Sequence, residues 1–401
     1  MPIQFASALS TNTDSAAAID EVCQAVRGQL EGPADLAMLF VSMHHVEAMQ
    51  QAADSVCAAL QTEALLGCTG ESILGVAKEI ESAPAVSLWA GSMPGVQIDA
   101  FHLDFEKLPD GMTFTGWPDS RVEQWPADST LLLLGEPFSF PADVLLEQLR
   151  NERADLPIIG GMASGGWSPS QNRLILGRTV YDRGAVLVRI HGPIRVRSVV
   201  SQGCRPIGRH YIVTKAEQNM ILELSGQPAM TRLHEVYETL NDAEKELVRH
   251  GLHVGRALSE YQDEFRRGDF LIRNVVGADP KSGAIAVGDY LRPGQTVQFH
   301  IRDAASADED LRELLKSDSA ESGAESVGRR AAGALLFTCN GRGTRLFPEP
   351  HHDAQCIAAS LGTIPLAGFF AQGEIGPVGG KNFLHGFTAS VAVFEEVDRL
   401  K

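Results

Sequence analysis

Apolar and polar positions along this chain fall into two textures. In the first, an unbroken apolar run leads through a helix-period stretch into a second short apolar run that ends in glycine. This arrangement occurs three times. Leu36–Ser42 (LAMLFVS), a helix over 46–60 and Leu65–Gly70 (LLGCTG) form the first copy. Residues 131–135 (LLLLG), a helix over 142–150 and 158–165 (IIGGMASG) form the second, and 334–339 (ALLFTC), 353–361 and 366–373 (LAGFFAQG) the third. From mid-strand to glycine the steps are 27, 27 and 31 residues, at 40–67, 133–160 and 337–368. Opening runs without polar alternation predict strands covered on both faces, and a helix between two strands predicts a parallel pair. The glycine after each second strand reads as a tight turn, or as a point where another backbone or a ligand comes close. Its recurrence in three copies predicts turns lining a shared cleft.

The second texture alternates as antiparallel strands do. Residues 173–181, 184–190 and 195–202 read as successive strands, and 270–277 and 296–301 likewise, separated by turns rich in Gly, Pro and Asp. A charged helical stretch over 231–250 is the predicted bridge, which puts a domain boundary near 226–231. The predicted fold class is α/β, with α+β as the alternative. Two related domains of mixed sheets covered by helices follow a short N-terminal segment: 1–30, 31–228 and 229–401. Residues 303–327 carry eight acidic and two basic side chains around a helix at 308–315, and read as a solvated crossover.

Charge and composition narrow the function classes. The net charge is −17, which disfavours phosphate backbones and anionic lipid as partners, so neither nucleic acid nor membrane is expected. No apolar run reaches the roughly 20 residues of a membrane span, and no secretory leader is visible, so a cytoplasmic location is expected. The six cysteines (Cys23, Cys57, Cys68, Cys204, Cys339 and Cys356) are scattered, as reduced thiols are. Phosphate-cradling and dinucleotide-binding glycine motifs are absent.

Several segments resemble the FIST family, whose two regions are called FIST-N and FIST-C. They are LLGCTG at Leu65–Gly70, IIGGMASGG at 158–166, LLFTCNGRG at 335–343, GFFAQGEIGP at 368–377 and LHGFT at 384–388. The resemblance spans about 35–393 and implies a sensory, signal-transducing module that binds a small molecule such as an amino acid. It also implies, for one bacterial branch, haem binding and nitric-oxide sensing. No added signalling domain is evident, so a free-standing protein acting through a downstream signalling partner is expected, with a homo-oligomer possible.

The candidate site centres on the loop after the third opening strand. Arg342 offers paired N–H donors to a carboxylate, or pairs structurally with an acidic neighbour. Asn340 both donates and accepts, and Gly343 leaves backbone amides open. Cys339 is either a packed thiol or, in a cysteine-dependent enzyme, the nucleophile; no catalytic residue is otherwise expected. Glu374 meets a ligand ammonium or pairs with Arg342. Gly67, Cys68, Gly160 and Gly161 supply close approach from the first half, while His385 and Thr388 serve hydrogen bonding. No metal and no cofactor are expected. Haem is the alternative, with His351 or His352 as its ligand.

Overall fold

Each of the three apolar patterns folds as a parallel strand pair around a helix. The computed structural model describes residues 2–108, 111–261, 265, 268–321 and 330–396. Strand β1 (Leu36–Ser42) pairs with β2 (Leu65–Gly70) across helix α1 (Met49–Leu60). β3 (Thr130–Gly135) and β4 (Ile158–Met162) flank α2 (Ala142–Glu152). β5 (Ala331–Cys339) and β6 (Leu366–Ala371) flank α3 (His352–Leu361). Every residue of β1 to β4 and of β6 is buried, which is why these strands read as continuous apolar runs.

The glycines differ from the turns expected of them. Gly67, Gly160 and Gly368 lie inside strands, directly opposite Leu39, Leu133 and Leu336 in the parallel ladders. A Cβ on Gly67 would stand 2.5 Å from the Leu39 carbonyl oxygen. On Gly160 and Gly368 it would press closer still on the carbonyls of Leu133 and Leu336. The neighbouring backbone occupies the space a side chain needs, so glycine is required three times at one place in the repeat.

That repeat is longer than the strand–helix–strand unit. Each parallel pair is followed by a short hairpin and then by a strand that returns antiparallel beside the opening strand. The returning strands are Val86–Ser92, Ala185–His191 and Ala389–Glu396. Outside each lies an edge strand, Gln4–Ser10, Gln97–Leu108 or Ile194–Ser201. All three sheets therefore share one order: edge, return, opening, second strand, hairpin, with Gly111–Thr115 added at one edge.

The hairpins are exchanged in a ring. Ile73–Gly75 with Lys78–Ile80 follows β2 but pairs with β6. Leu174–Leu176 with Thr179–Tyr181 follows β4 but pairs with β2. Glu374–Val378 with Lys381–His385 follows β6 but pairs with β4. Within each sheet the incoming residue opposite the close-approach glycine is aliphatic: Leu74 at Gly368, Ile175 at Gly67 and Ile375 at Gly160. The single strand expected over 173–181 is thus a hairpin, broken where Gly177 takes a left-handed φ of 56°.

Side chains from the inner faces of the three sheets share one core. Phe40 stacks on Phe369 at 5.3 Å between centroids, and Phe337 meets Phe369 edge-on at 5.9 Å. Trp89 packs between Phe5 and Phe394, at 4.8 Å from each. The outer faces are covered by α1 with the Ser15–Gln29 helix, by α2, and by α3 with Leu311 and Leu315. The first 30 residues are accordingly part of the first repeat, with the Ser15–Gln29 helix capped by the Asp14 side chain.

The chain divides into two compact units, Met1–Ser201 with Leu311–Lys401, and Gln202–Asp310. The second unit is inserted in the third repeat, between its edge strand and β5. Its strands Cys204–Glu217, Thr296–Arg302, His253–Ala257, Phe270–Asp279, Ala284–Val287 and Met220–Leu224 are antiparallel neighbours, and the last pairs back with the first. The result is a closed barrel around Ile207, Val213, Ile221, Val254, Ile285 and Phe299. The predicted bridge is two helices, Ala229–Thr239 and Asp242–His250, inside this unit; Asn241 and Glu244 form a capping box on the second. The predicted boundary at 226–231 falls within the same unit. The helix expected at 308–315 lies in Ala304–Glu321, and 322–327 of the expected acidic crossover fall outside the described residues. Among the described residues no helix is long and apolar enough to cross a membrane.

A methyl group at a close-approach glycine must displace a neighbouring strand. Gly67→Ala, Gly160→Ala and Gly368→Ala should each destabilise the fold by about 1–3 kcal/mol or more in denaturant titration. Gly28→Ala, in a helix with open space at the Cβ position, should be neutral or stabilising by up to about 1 kcal/mol.

Candidate functional site

The second strands of the three repeats end against one another. The Ser164 N–H donates to the Thr69 carbonyl at 3.1 Å, and the Gln372 N–H to the Met162 carbonyl at 3.1 Å. On the third side a hydroxyl intervenes. Ser164 Oγ accepts the Glu71 N–H at 2.8 Å and donates to the Phe370 carbonyl. Each strand end is also tied to the residue preceding its foreign hairpin: Thr69 to Arg173, Met162 to Gly373 and Phe370 to Ser72. Polar backbone at three buried strand ends is thereby satisfied within one cyclic network.

The expected first-half residues sit in these strands. Gly67 and Cys68 are buried in β2, and burial pushes the Cys68 thiol well above its ordinary pKa. Gly160 and Gly161 are buried in β4, with Gly161 directly opposite Glu374. Glu374 and Gly161 are thus brought together, while Glu374 and Arg342 do not pair. Glu374 Oε2 accepts the Thr388 N–H at 3.0 Å and the Thr388 hydroxyl at 2.8 Å, just before the last strand. His385 Nε2 lies 2.9 Å from the Gly376 carbonyl.

Arg342 has a different partner. The Arg342 N–H closes a turn onto the Cys339 carbonyl at 2.8 Å, and Gly343 follows with a φ of 60°. That turn carries the side chain inward to 0% exposure. Nε and Nη2 donate to the two oxygens of Asp353 at 2.6 and 2.7 Å, and the Phe347 ring lies 5.2 Å from the guanidinium carbon. Asp353, in the first turn of α3, also accepts from Thr338 Oγ1 at 2.7 Å and contacts His352 Nδ1 at 2.9 Å. Burial opposes its ionisation, yet the Arg342 charge and these donors override burial and hold the carboxyl well below the carboxylate range.

A second carboxyl enters from the exchanged hairpin. Glu79 Oε1 accepts the Ala354 N–H at 2.9 Å, and the Glu79 N–H donates to His351 Nδ1 at 3.0 Å. Burial first, and the Asp353 charge next, push the Glu79 carboxyl up to about 8. Glu81 accepts the Thr344 N–H at 2.9 Å, and Arg345 pairs with Glu71 while donating to the Asn340 carbonyl at 2.8 Å. Three polar atoms in this group are buried without a hydrogen-bond partner among the described residues: Arg342 Nη1, Asn340 Oδ1 and Glu79 Oε2. The arrangement offers a guanidinium donor, an amide acceptor and a carboxyl that holds a proton near neutral pH.

The histidines named for haem are both engaged here. His351 takes up the Glu79 amide, and His352 stacks on Phe347 at 3.4 Å between centroids while touching Asp353. No group of three His, Cys, Asp or Glu side chains arranged to hold a metal ion is found among the described residues.

Two family patterns, the FIST N domain at residues 35–227 and the FIST C domain at residues 229–377, match this chain. The chain belongs to the FIST family. Such domains are generally taken as sensory or signal-transduction modules. An uncharacterized protein of Mycobacterium tuberculosis is 44% identical over 388 residues, covering 96% of this chain and 98% of its own length. An uncharacterized protein of Mycobacterium bovis is 43% identical over 385 residues, covering 96% and 97%. The FIST N match takes in the first repeat from β1 onward, the second repeat and the edge strand of the third, and the junction of the two matches falls inside the inserted unit. The Arg342 loop belongs to the FIST C match and Glu79 to the FIST N match.

Sequence reasoning did not weigh Asp353 or Glu79. An acid in the first turn of a helix eleven residues after an arginine was the available sign of Asp353. No local sign marks Glu79, which reaches the site through the hairpin exchange.

Asp353→Ala would leave the buried guanidinium uncompensated, and should cost about 3–5 kcal/mol in denaturant titration. Glu79 gives a pH signature. Its folded-state pKa lies above that of the unfolded chain, so its contribution is fully present below about pH 4.5 and is lost as pH rises through about 8. Wild-type stability should therefore fall between pH 7 and pH 9, above the range in which His253 and His300, whose pKa values burial lowers to about 4, act in the opposite direction. Glu79→Gln, which keeps the acceptor and cannot ionise, should flatten that slope in melts recorded across the same range.

Proposed function

We propose that this FIST protein is a sensory module that takes a small polar ligand carrying a carboxylate, of the amino-acid class, at the loop following β5. The observation that carries the reading is the set of buried, unpartnered polar atoms there. Arg342 is held in place by Asp353 through Nε and Nη2, which leaves Nη1 as a fixed donor for a ligand carboxylate. Asn340 Oδ1, two residues away in the same loop, is an acceptor suited to a ligand ammonium. Unsatisfied buried groups are costly, and a ligand that pairs with both recovers that cost on binding. The ligand would be sensed where hairpin residues of the FIST N region meet the loop and helix of the FIST C region, and the output would pass to a protein partner.

A thermal-shift screen of the full chain against amino acids and small carboxylates tests this. A ligand at about 100 times its Kd should add roughly 2.7 kcal/mol of stability. Asn340→Ala should fold and lose the shift, and Arg342→Lys should weaken it. A screen without a stabilising compound, or a shift indifferent to both substitutions, overturns the proposal.

A further inference from the structure

We infer that Ser15 and His45 form an acyl-transfer site in the first repeat, where the Ser15 hydroxyl attacks small uncharged carboxylic esters and His45 is its general base. The site shares no residue with the ligand reading and stands on different observations. The edge strand Gln4–Ser10 and the opening strand β1 both pair antiparallel with Val86–Ser92, so they run in one direction; Ser10 and Val41 both lie opposite Val86. The segments leaving their carboxyl ends therefore start side by side, where ligands of α/β sheets bind. One leads into the helix Ser15–Gln29, the other into the turn Met43–Ala48 that carries His45.

The two side chains are placed as a nucleophile and its base. Ser15 Oγ lies 2.8 Å from His45 Nδ1, within the reach of proton transfer. Ser15 is partly exposed, whereas His45 is 1% exposed. With Nδ1 accepting from the hydroxyl, the neutral ring carries its proton on Nε2, which is buried with no partner at hydrogen-bond distance among the described residues. Burial first, and His44 next, lower the ring's pKa, while the Asn12 backbone and the Asp14 carboxylate act electrostatically in the opposite direction. The ring is thus a neutral proton acceptor at pH 7, and Asp14 stabilises the cation it becomes during transfer.

The helix start supplies donors. The Ala17 N–H donates to Asp14 Oδ1 at 2.8 Å and the Ala18 N–H to the Asp14 carbonyl at 2.9 Å. The Ser15 and Ala16 N–H groups, earlier in the same turn, have no intrahelical acceptor and can hold an oxyanion formed at the nucleophile. Asp14 beside the pair and a net charge of −17 disfavour anionic substrates, which leaves uncharged esters.

In the reaction Ser15 Oγ bonds to the ester's carbonyl carbon as its proton passes to His45 Nδ1, and the carbonyl electron pair moves onto oxygen. Collapse breaks the carbon–oxygen bond to the leaving alcohol, which takes the proton from His45. Water then attacks the acyl-serine, His45 accepts the water's proton, and the carboxylic acid leaves as Ser15 Oγ takes that proton back. Ester and water are the only reactants, and nothing is oxidised or reduced.

The test incubates the full chain with a fluorophosphonate, maps the adduct by peptide mass spectrometry, and follows p-nitrophenyl acetate hydrolysis. The expected result is an adduct on the Ser15 peptide, with labelling and hydrolysis lost in Ser15→Ala and slowed about 100-fold or more in His45→Gln. Should His45→Gln fail to fold, the wild-type pH profile serves instead. Labelling should be level near neutral pH and fall on acidification below about pH 6.5, the ordinary histidine value, as the ring takes up a proton. No adduct on Ser15, an adduct on another residue alone, a rate unchanged in folded His45→Gln, or a flat acid profile overturns the inference.

Discussion

Three strand pairs in this protein approach so closely that one residue in each second strand can have no side chain, and everything else in the larger unit is arranged around that constraint. Gly67, Gly160 and Gly368 let the opening strand's carbonyl come into the space of a Cβ. Each glycine also faces a hairpin supplied by another repeat. A repeat alone would leave an edge of its sheet unpaired and one face of its strands exposed. The exchange covers that edge within the chain, and the three inner faces bury Phe40, Phe337, Phe369 and Trp89 together.

This ring explains where polar chemistry is tolerated. Where the three second strands end, the backbone groups are satisfied by one another, with the Ser164 hydroxyl completing the third side. In the third repeat alone the loop after the opening strand carries a guanidinium inward. Its charge is balanced by Asp353 from the same repeat, while Glu79 arrives on the hairpin of the first. A buried cation flanked by one ionised and one protonated carboxyl is expensive to assemble, and breaking it costs more than the pair contributes. Around this pair Arg342 Nη1, Asn340 Oδ1 and Glu79 Oε2 are buried with no hydrogen-bond partner among the described residues.

Much of this was legible in the sequence, and the omissions have physical causes. The strand–helix–strand units could be read because buried parallel strands leave long apolar runs and even spacing. The glycines could be located, but a turn and a close approach leave the same residue in the same place, and only the partner strand distinguishes them. Cys339, Asn340, Arg342 and Gly343 share a loop because they are consecutive, whereas Glu374 was separated from Arg342 by the exchange that set it beside Gly161 and Thr388. Glu79 lay beyond local reasoning for the same cause. The inserted barrel was hidden because antiparallel strands with polar turns read alike in either unit; the boundary read near 226–231 coincides with the junction of the two family matches and lies inside the barrel. The Ser15–Gln29 helix has a clear Asp14 cap, yet a strand and helix before the first repeated pattern carry no sign of which sheet they complete.

Native-state hydrogen exchange tests the ring most directly. If each sheet depends on a hairpin from another repeat, the amides of β2, β4 and β6 should open together, at one free energy equal to that of global unfolding. Protection that falls into separate levels, with one repeat opening while the other two stay closed, would contradict the account.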